Sequence, residues 1–216
     1  MYSLLLETSS KKALIFLALN DTPVASQHLK GDETLSTEIY PALNKLFLAS
    51  SLKAKDLSYI AVGTGPGSYT GIRIGASIAK ALAFAFKIPL IGFCSLKALL
   101  PPFNTPFYTL SDAKSGGFFL LEGEKIDQHI IYKGGPQLIS FEEAKLLFSK
   151  NYLLLSSEIK TPQERLPYLP AHLFLDPLPD AKHLARLAYT KYMNKKFDLS
   201  HKLELLYLRN PNPVAL

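Results

Sequence analysis

Gly63-Thr64-Gly65-Pro66-Gly67-Ser68-Tyr69-Thr70-Gly71-Ile72-Arg73-Ile74-Gly75 is the most informative stretch of this chain. Ahead of it, Leu57, Ile60, Ala61 and Val62 read as a buried strand. Behind it, the run of Ile, Ala, Leu and Phe predicts a helix over 71–86. Strand, glycine-rich loop and helix in that order form a crossover unit of an α/β sheet. Such a loop can aim successive backbone N–H groups into one concavity, and the helix N-terminus adds partial positive charge, so an anion site is physically possible. The loop is not a Walker A motif, because no Gly-Lys-Ser/Thr follows and Lys80 lies too far along the helix. Nor is it a dinucleotide fingerprint, since the third glycine position is Ser68. The plainer alternative, that the glycines serve a tight turn and close packing, stays open.

The helix itself is unusual. Arg73, Ser77 and Lys80 form one thin polar stripe, while the remaining residues are apolar or small. Gly71, Gly75, Ala79 and Ala83, four apart, form a ridge without bulk that lets another backbone approach. A helix apolar around most of its circumference needs cover on more than one side. A sheet supplies one side. The other falls to the helix expected around 35–48, or to a second protein chain, and the pattern admits both.

On the N-terminal side, strands are expected at 2–7, 13–19 and 24–29, with turns at 8–12 and 20–23, which makes an antiparallel meander. Leu35, Ile39, Ala42, Leu43 and Leu46 recur at helical spacing, but Pro41 interrupts them, so that helix either starts near Tyr40 or kinks there. On the C-terminal side, 90–93 reads as a strand. Pro101, Pro102 and Pro106 mark a boundary between an N-terminal lobe, 1–100, and a smaller C-terminal lobe, 101–216. Beyond it, strands are expected at 107–111, 118–121 and 125–132, with Glu122-Gly123-Glu124 as a hairpin turn. Helices are expected at 141–149 and 180–195, and 161–179, with five prolines, reads as an irregular connection.

Composition narrows the function classes. The 216 residues are 48% hydrophobic and 19% charged, a balance that can bury a core. No apolar run reaches the ~20 residues of a membrane span, so no membrane association is expected. The apolar opening lacks a basic flank and ends at Glu7, which reads as a strand and not a leader. The single cysteine, Cys94, is compatible with a reduced cytoplasm. The net charge of +6 permits attraction to a polyanion, or plain solubility. From Asp180 onward seven Lys/Arg face three acids, the one region open to nucleic-acid contact. His28, His129, His172, His183 and His201 are scattered, with no pair at the spacing of a helical metal site. No nucleophile arrangement has a local signature, so no catalytic residue and no metal site is expected.

The 63–75 stretch, with Ala79-Lys80-Ala81-Leu82-Ala83 behind it, closely resembles the signature of the TsaB family. Leu6-Glu7-Thr8-Ser9, Ser95-Leu96-x-Ala98-Leu99, Asp112-Ala113-Lys114 and Leu206-Tyr207-Leu208-Arg209 follow in the family's order. The resemblance implies a two-lobed α/β fold of the actin/Hsp70/sugar-kinase type (ASKHA, ribonuclease H-like), with mixed sheets and flanking helices. It implies a non-catalytic scaffold that activates TsaD, the paralogue that transfers threonylcarbamoyl to adenosine 37 of ANN-decoding tRNAs. It further implies a TsaE-like ATPase partner, a homodimer when alone, and tRNA met through the complex. No cofactor of its own is implied, although ATP or ADP at the partner interface is compatible. Gly65, Pro66, Gly67, Ser68, Thr70, Gly71, Arg73, Gly75, Ala79 and Ala83 are the expected partner interface or anion loop. Glu7 departs from the family's Asp at a position where related ATPases hold a magnesium-bound water. A lone ATPase or glycoprotease-like enzyme is the alternative, and it would need a second phosphate loop, for which Gly134-Gly135 is the candidate.

Overall fold

The computed structural model describes residues 1–31, 34–114, 116–148, 152–197 and 203–206. Tyr207-Leu208-Arg209, and from the basic tail Lys202 and His201, lie outside the described residues.

Strands β1 (Tyr2–Glu7), β2 (Lys12–Leu19) and β3 (Thr22–Lys30) form the expected antiparallel meander. Helix α1 (Leu35–Ser50), strand β4 (Leu57–Gly63), helix α2 (Tyr69–Phe86) and strand β5 (Leu90–Phe93) follow. The strands order as β3-β2-β1-β4-β5, with β4 parallel to both β1 and β5. Helix α1 runs through Pro41 instead of starting at Tyr40. Pro41 and Thr37, whose carbonyl loses its helical donor, both face solvent, where water can substitute.

The first sheet is apolar on both faces, as a buried parallel core demands. Leu4, Leu6, Ile15, Leu17, Ile60 and Val62 meet α1 and α2 on one face. Leu5, Leu14, Phe16, Tyr59, Ala61 and Ile91 occupy the other, and among the described residues of 1–100 no α-helix covers them. That cover comes from α5 (Ala181–Met193), through Leu184, Ala185 and Ala188. Its N-terminus is capped by Asp180, whose side chain accepts from the His183 N–H at 2.8 Å. So although the proline run at 101–106 separates the strands of the two sheets, Ala181–Met193 returns to the core of the first lobe. Leu203 is buried there as well.

The second sheet contains β6 (Thr105–Asp112), β7 (Gly117–Ile126), β8 (His129–Tyr132), β9 (Gln137–Ser140), β10 (Leu153–Leu155) and β11 (Phe174–Leu175), with helices α3 (Phe141–Leu147) and α4 (Lys160–Arg165). Its main path, β11-β10-β6-β7-β8, is the first sheet's order read from the other edge, with the same antiparallel meander and parallel crossover strands. The hairpin turn expected at Glu122-Gly123-Glu124 is corrected: β7 runs straight through these residues, and the turn falls at Asp127, whose φ is 52°. Gly123 is a glycine because a Cβ there would sit 2.6 Å from the Phe107 ring on the paired strand, so the residue serves close packing and not a turn.

Candidate functional site

The C-terminal ends of β1, β4 and β5 converge on one edge of the first sheet, and the glycine loop leaves from there. Three of its donors are engaged internally. The Gly65 N–H donates to Ser95 Oγ at 3.1 Å, the Ser68 N–H to the Ser9 carbonyl at 2.6 Å, and the Gly71 N–H to Ser68 Oγ at 3.3 Å. Ser68 is thus the N-cap of α2. With these N–H groups occupied, the loop does not offer them to an anion. Pro66 is buried and follows a cis Gly65–Pro66 peptide, while Gly67 and Ser68 are half-buried.

The ridge along α2 faces inward. Gly71, Gly75, Ala79 and Ala83 are all buried. A Cβ at Gly71 would strike the Thr8 carbonyl, and one at Gly75 would strike Thr8 Oγ1. The Thr8 hydroxyl in turn donates to the Gly71 carbonyl at 2.8 Å. The backbone that the ridge admits is therefore the chain's own β1–β2 turn, and these four residues are not on the outer surface. Outward instead point Thr70, Arg73, Ser77, Ala81, Phe84 and Ala85. Arg73 lies 3.9 Å over the Tyr69 ring. Phe84 is 78% exposed on α2, and Leu48 is 72% and Tyr40 65% exposed on α1, in the same helical layer. The sequence pattern showed a helix needing extra cover, but it pointed to the ridge because small residues and large ones look equally apolar. The outward Phe84 is the residue that sequence reasoning passed over.

Beside the loop, a narrow cleft separates the lobes. Glu7, Ser9, Ser95, Thr109, Ser111 and Ser157 are among the residues lining it, yet it encloses only ≈ 20 Å³. That is room for about one water, against the ~300 Å³ or more of a cofactor-sized site. Glu7 is buried at its base: Oε1 accepts from the Ser9 N–H at 2.8 Å, and Oε2 has no hydrogen-bond partner. Burial pushes its carboxyl above the ordinary range, with the Ser9 and Ser95 groups pulling the other way. Thr109 Oγ1, from the opposite lobe, is likewise buried without a partner. Gly134-Gly135 lies on the exposed β8–β9 connection and does not line the cleft.

The seam between the lobes is stitched along its length. Lys12 meets Asp176 at 2.6 Å, and Lys11 lies 3.6 Å from Glu158. On the far side, Tyr132 Oη and His183 Nε2 are 2.9 Å apart. Burial holds His183 down to about 4, so its ring is neutral near pH 7. His183 thus links α5, which covers the first sheet, to Tyr132 of the second.

Two lobes of identical strand order, helices on both faces of the first sheet, and a polar cleft between them define a protein of the actin/Hsp70/sugar-kinase class. The TsaD family model, tRNA N6-adenosine threonylcarbamoyltransferase, matches residues 31–164. The tRNA threonylcarbamoyladenosine biosynthesis protein TsaB of Bacillus subtilis is 30% identical over 160 residues, covering 68% of this chain and 70% of that one. The chain belongs to the TsaB family, within the wider group that the transferase model describes. TsaB of Buchnera aphidicola (Schizaphis graminum) is 38% identical over 74 residues, 34% of each chain. The crystal structure of a Pseudomonas aeruginosa protein with similarity to peptidase YeaZ superposes with a TM-score of 0.80 at 20% identity, over 96% of this chain and 99% of that one. That likeness concerns the fold alone. Among the described residues, no helix is long and apolar enough to cross a membrane.

Proposed function

We propose that this chain is a non-catalytic subunit in the formation of N6-threonylcarbamoyladenosine at position 37 of ANN-decoding tRNAs, where it binds and activates a TsaD-type transferase. The carrying observation is the outward face of α1 and α2. Phe84 on α2 and Leu48 and Tyr40 on α1 stand exposed on the helical layer that covers one face of the first sheet, and large exposed apolar side chains are characteristic of protein interfaces. The family match supports this reaction, and the match to the transferase model supports a partner of the same architecture.

The cleft supports the accessory role. A volume of ≈ 20 Å³ does not admit a nucleotide while the seam is closed, and the glycine loop's donors at Gly65, Ser68 and Gly71 serve the protein itself. ATP or ADP, if used, belongs at the partner interface or on a TsaE-like ATPase, and tRNA is reached through the assembled complex in the cytoplasm. Alone, the chain pairs with a second copy through the same face. The test is reconstitution with the cognate TsaD-type transferase. This chain is expected to stimulate threonylcarbamoyl transfer and to perform none by itself. Metal-dependent transfer or ATP hydrolysis by the isolated chain would replace this reading with the enzymatic one.

A further inference from the structure

The peptide unit between Thr64 and Gly65 is held at both ends. On one side, the Gly65 N–H donates to Ser95 Oγ at 3.1 Å. On the other, the Thr64 carbonyl accepts from the Leu206 N–H at 2.8 Å. The donor comes from a segment 142 residues further along the chain (206 − 64). Its neighbours anchor it: Leu203 is 5% exposed within the apolar cluster of α1, α2 and the first sheet, and Leu205 packs against the same cluster. Glu204, between them, faces solvent. This alternation of inward leucines and an outward acid is the pattern of a strand-like segment laid on a surface.

The seat for this segment is shaped by the glycine loop. Gly65 has a φ of +96°, and a Cβ built there would sit 2.8 Å from Ile72 Cδ1 and 3.2 Å from the Leu206 carbonyl oxygen. The absence of a side chain at Gly65 is therefore what lets 206 approach, with Ile72 forming the far wall.

We propose that residues 203–206 are a built-in clasp, a C-terminal segment whose task is to lock the glycine loop and the start of α2 into one shape. The segment acts as an intramolecular ligand of the first lobe. Leucine burial supplies its attraction, and the Leu206–Thr64 hydrogen bond supplies its register. This role does not depend on the proposed function, because it concerns the isolated chain.

The experiment is amide hydrogen exchange, followed residue by residue in the intact chain, in a chain ending at residue 202, and in Leu206→Pro, which removes one donor and leaves Leu203 in place. The Gly65 amide is expected to exchange several-fold to about tenfold faster in both variants, the scale of one lost hydrogen bond. Amides deep in β1 and β2, such as Phe16, are expected to keep their protection in Leu206→Pro. A synthetic peptide of residues 198–216 added to the shortened chain is expected to restore Gly65 protection saturably. Unchanged Gly65 exchange in Leu206→Pro would overturn the clasp. So would an equal rise at Phe16 in that variant, which would mean general loosening. If the shortened chain does not fold, Leu206→Pro decides alone.

Discussion

The two lobes share one plan and differ in how fully they carry it out. In the first, the crossover helices run 16 and 18 residues. In the second, their counterparts run 7 and 6 residues, and the two outer parallel strands shrink to 3 and 2. The larger lobe borrows α5 and the 203–206 segment from the far end of the chain, so both faces of its sheet are covered. The difference teaches where specificity is kept. In the first lobe, close approaches crowd the glycines of the loop and of α2, while in the second Gly117 and Gly123 are packed within the sheet and the surface Gly116, Gly134 and Gly135 touch nothing.

The sharpest way to break that contrast is substitution at the two kinds of glycine. Gly71→Val, driven into the Thr8 carbonyl, is expected to destabilise by about 3 kcal/mol or more, read as a fall in denaturation midpoint. Gly135→Ala, with open space around it, is expected to stay within about 0.5 kcal/mol. Equal effects at both sites would erase the distinction between the lobes.

The seam offers a pH test of comparable size. The folded His183 titrates at about 4 against an ordinary 6.5, so the unfolded chain binds its proton first as pH falls. Stability is therefore present above pH 6.5 and lost on descending toward pH 4, by up to about 3 kcal/mol. His183→Gln is expected to flatten that slope while keeping a partner for Tyr132. An unchanged slope in equilibrium unfolding would place the lobe contact elsewhere.

Glu7 works in the opposite sense. Its folded carboxyl titrates above the ordinary value, so stability is fullest below pH 4.5 and declines as pH rises through the raised value. Glu7→Gln retains the acceptor for the Ser9 N–H and removes the charge, and is expected to raise stability at neutral pH by about 1 kcal/mol. A loss of stability in thermal unfolding would show that Glu7 is ionised and paired by a group bound in the cleft.

Much of the first lobe was legible in the sequence because its elements are long. The strands at 57–63 and 90–93 fall where apolar runs and turn residues placed them, and Asn20-Asp21 turns the meander as its composition demands. The second lobe resisted. Leu153–Leu155 and Phe174–Leu175 are too short to show any period, and the prolines of 161–179 conceal both α4 and β11. Gly123 looked like a turn because sequence cannot tell a glycine that bends the chain from one that makes room for Phe107. At the candidate site, the loop and α2 were legible as a unit. The inward turn of the Gly71–Gly75–Ala79–Ala83 ridge and the reach of residue 206 to Thr64 were not, because both depend on contacts between distant segments.

The most direct test of the scaffold account is Phe84→Arg, a change on the exposed face of α2. The variant is expected to stay folded, with the parent chain's circular dichroism, because Phe84 is 78% exposed in the single chain. With the cognate TsaD-type transferase and tRNA, the parent chain should stimulate threonylcarbamoyl transfer and Phe84→Arg should lose most of that stimulation. Full stimulation by a folded Phe84→Arg chain would contradict the account.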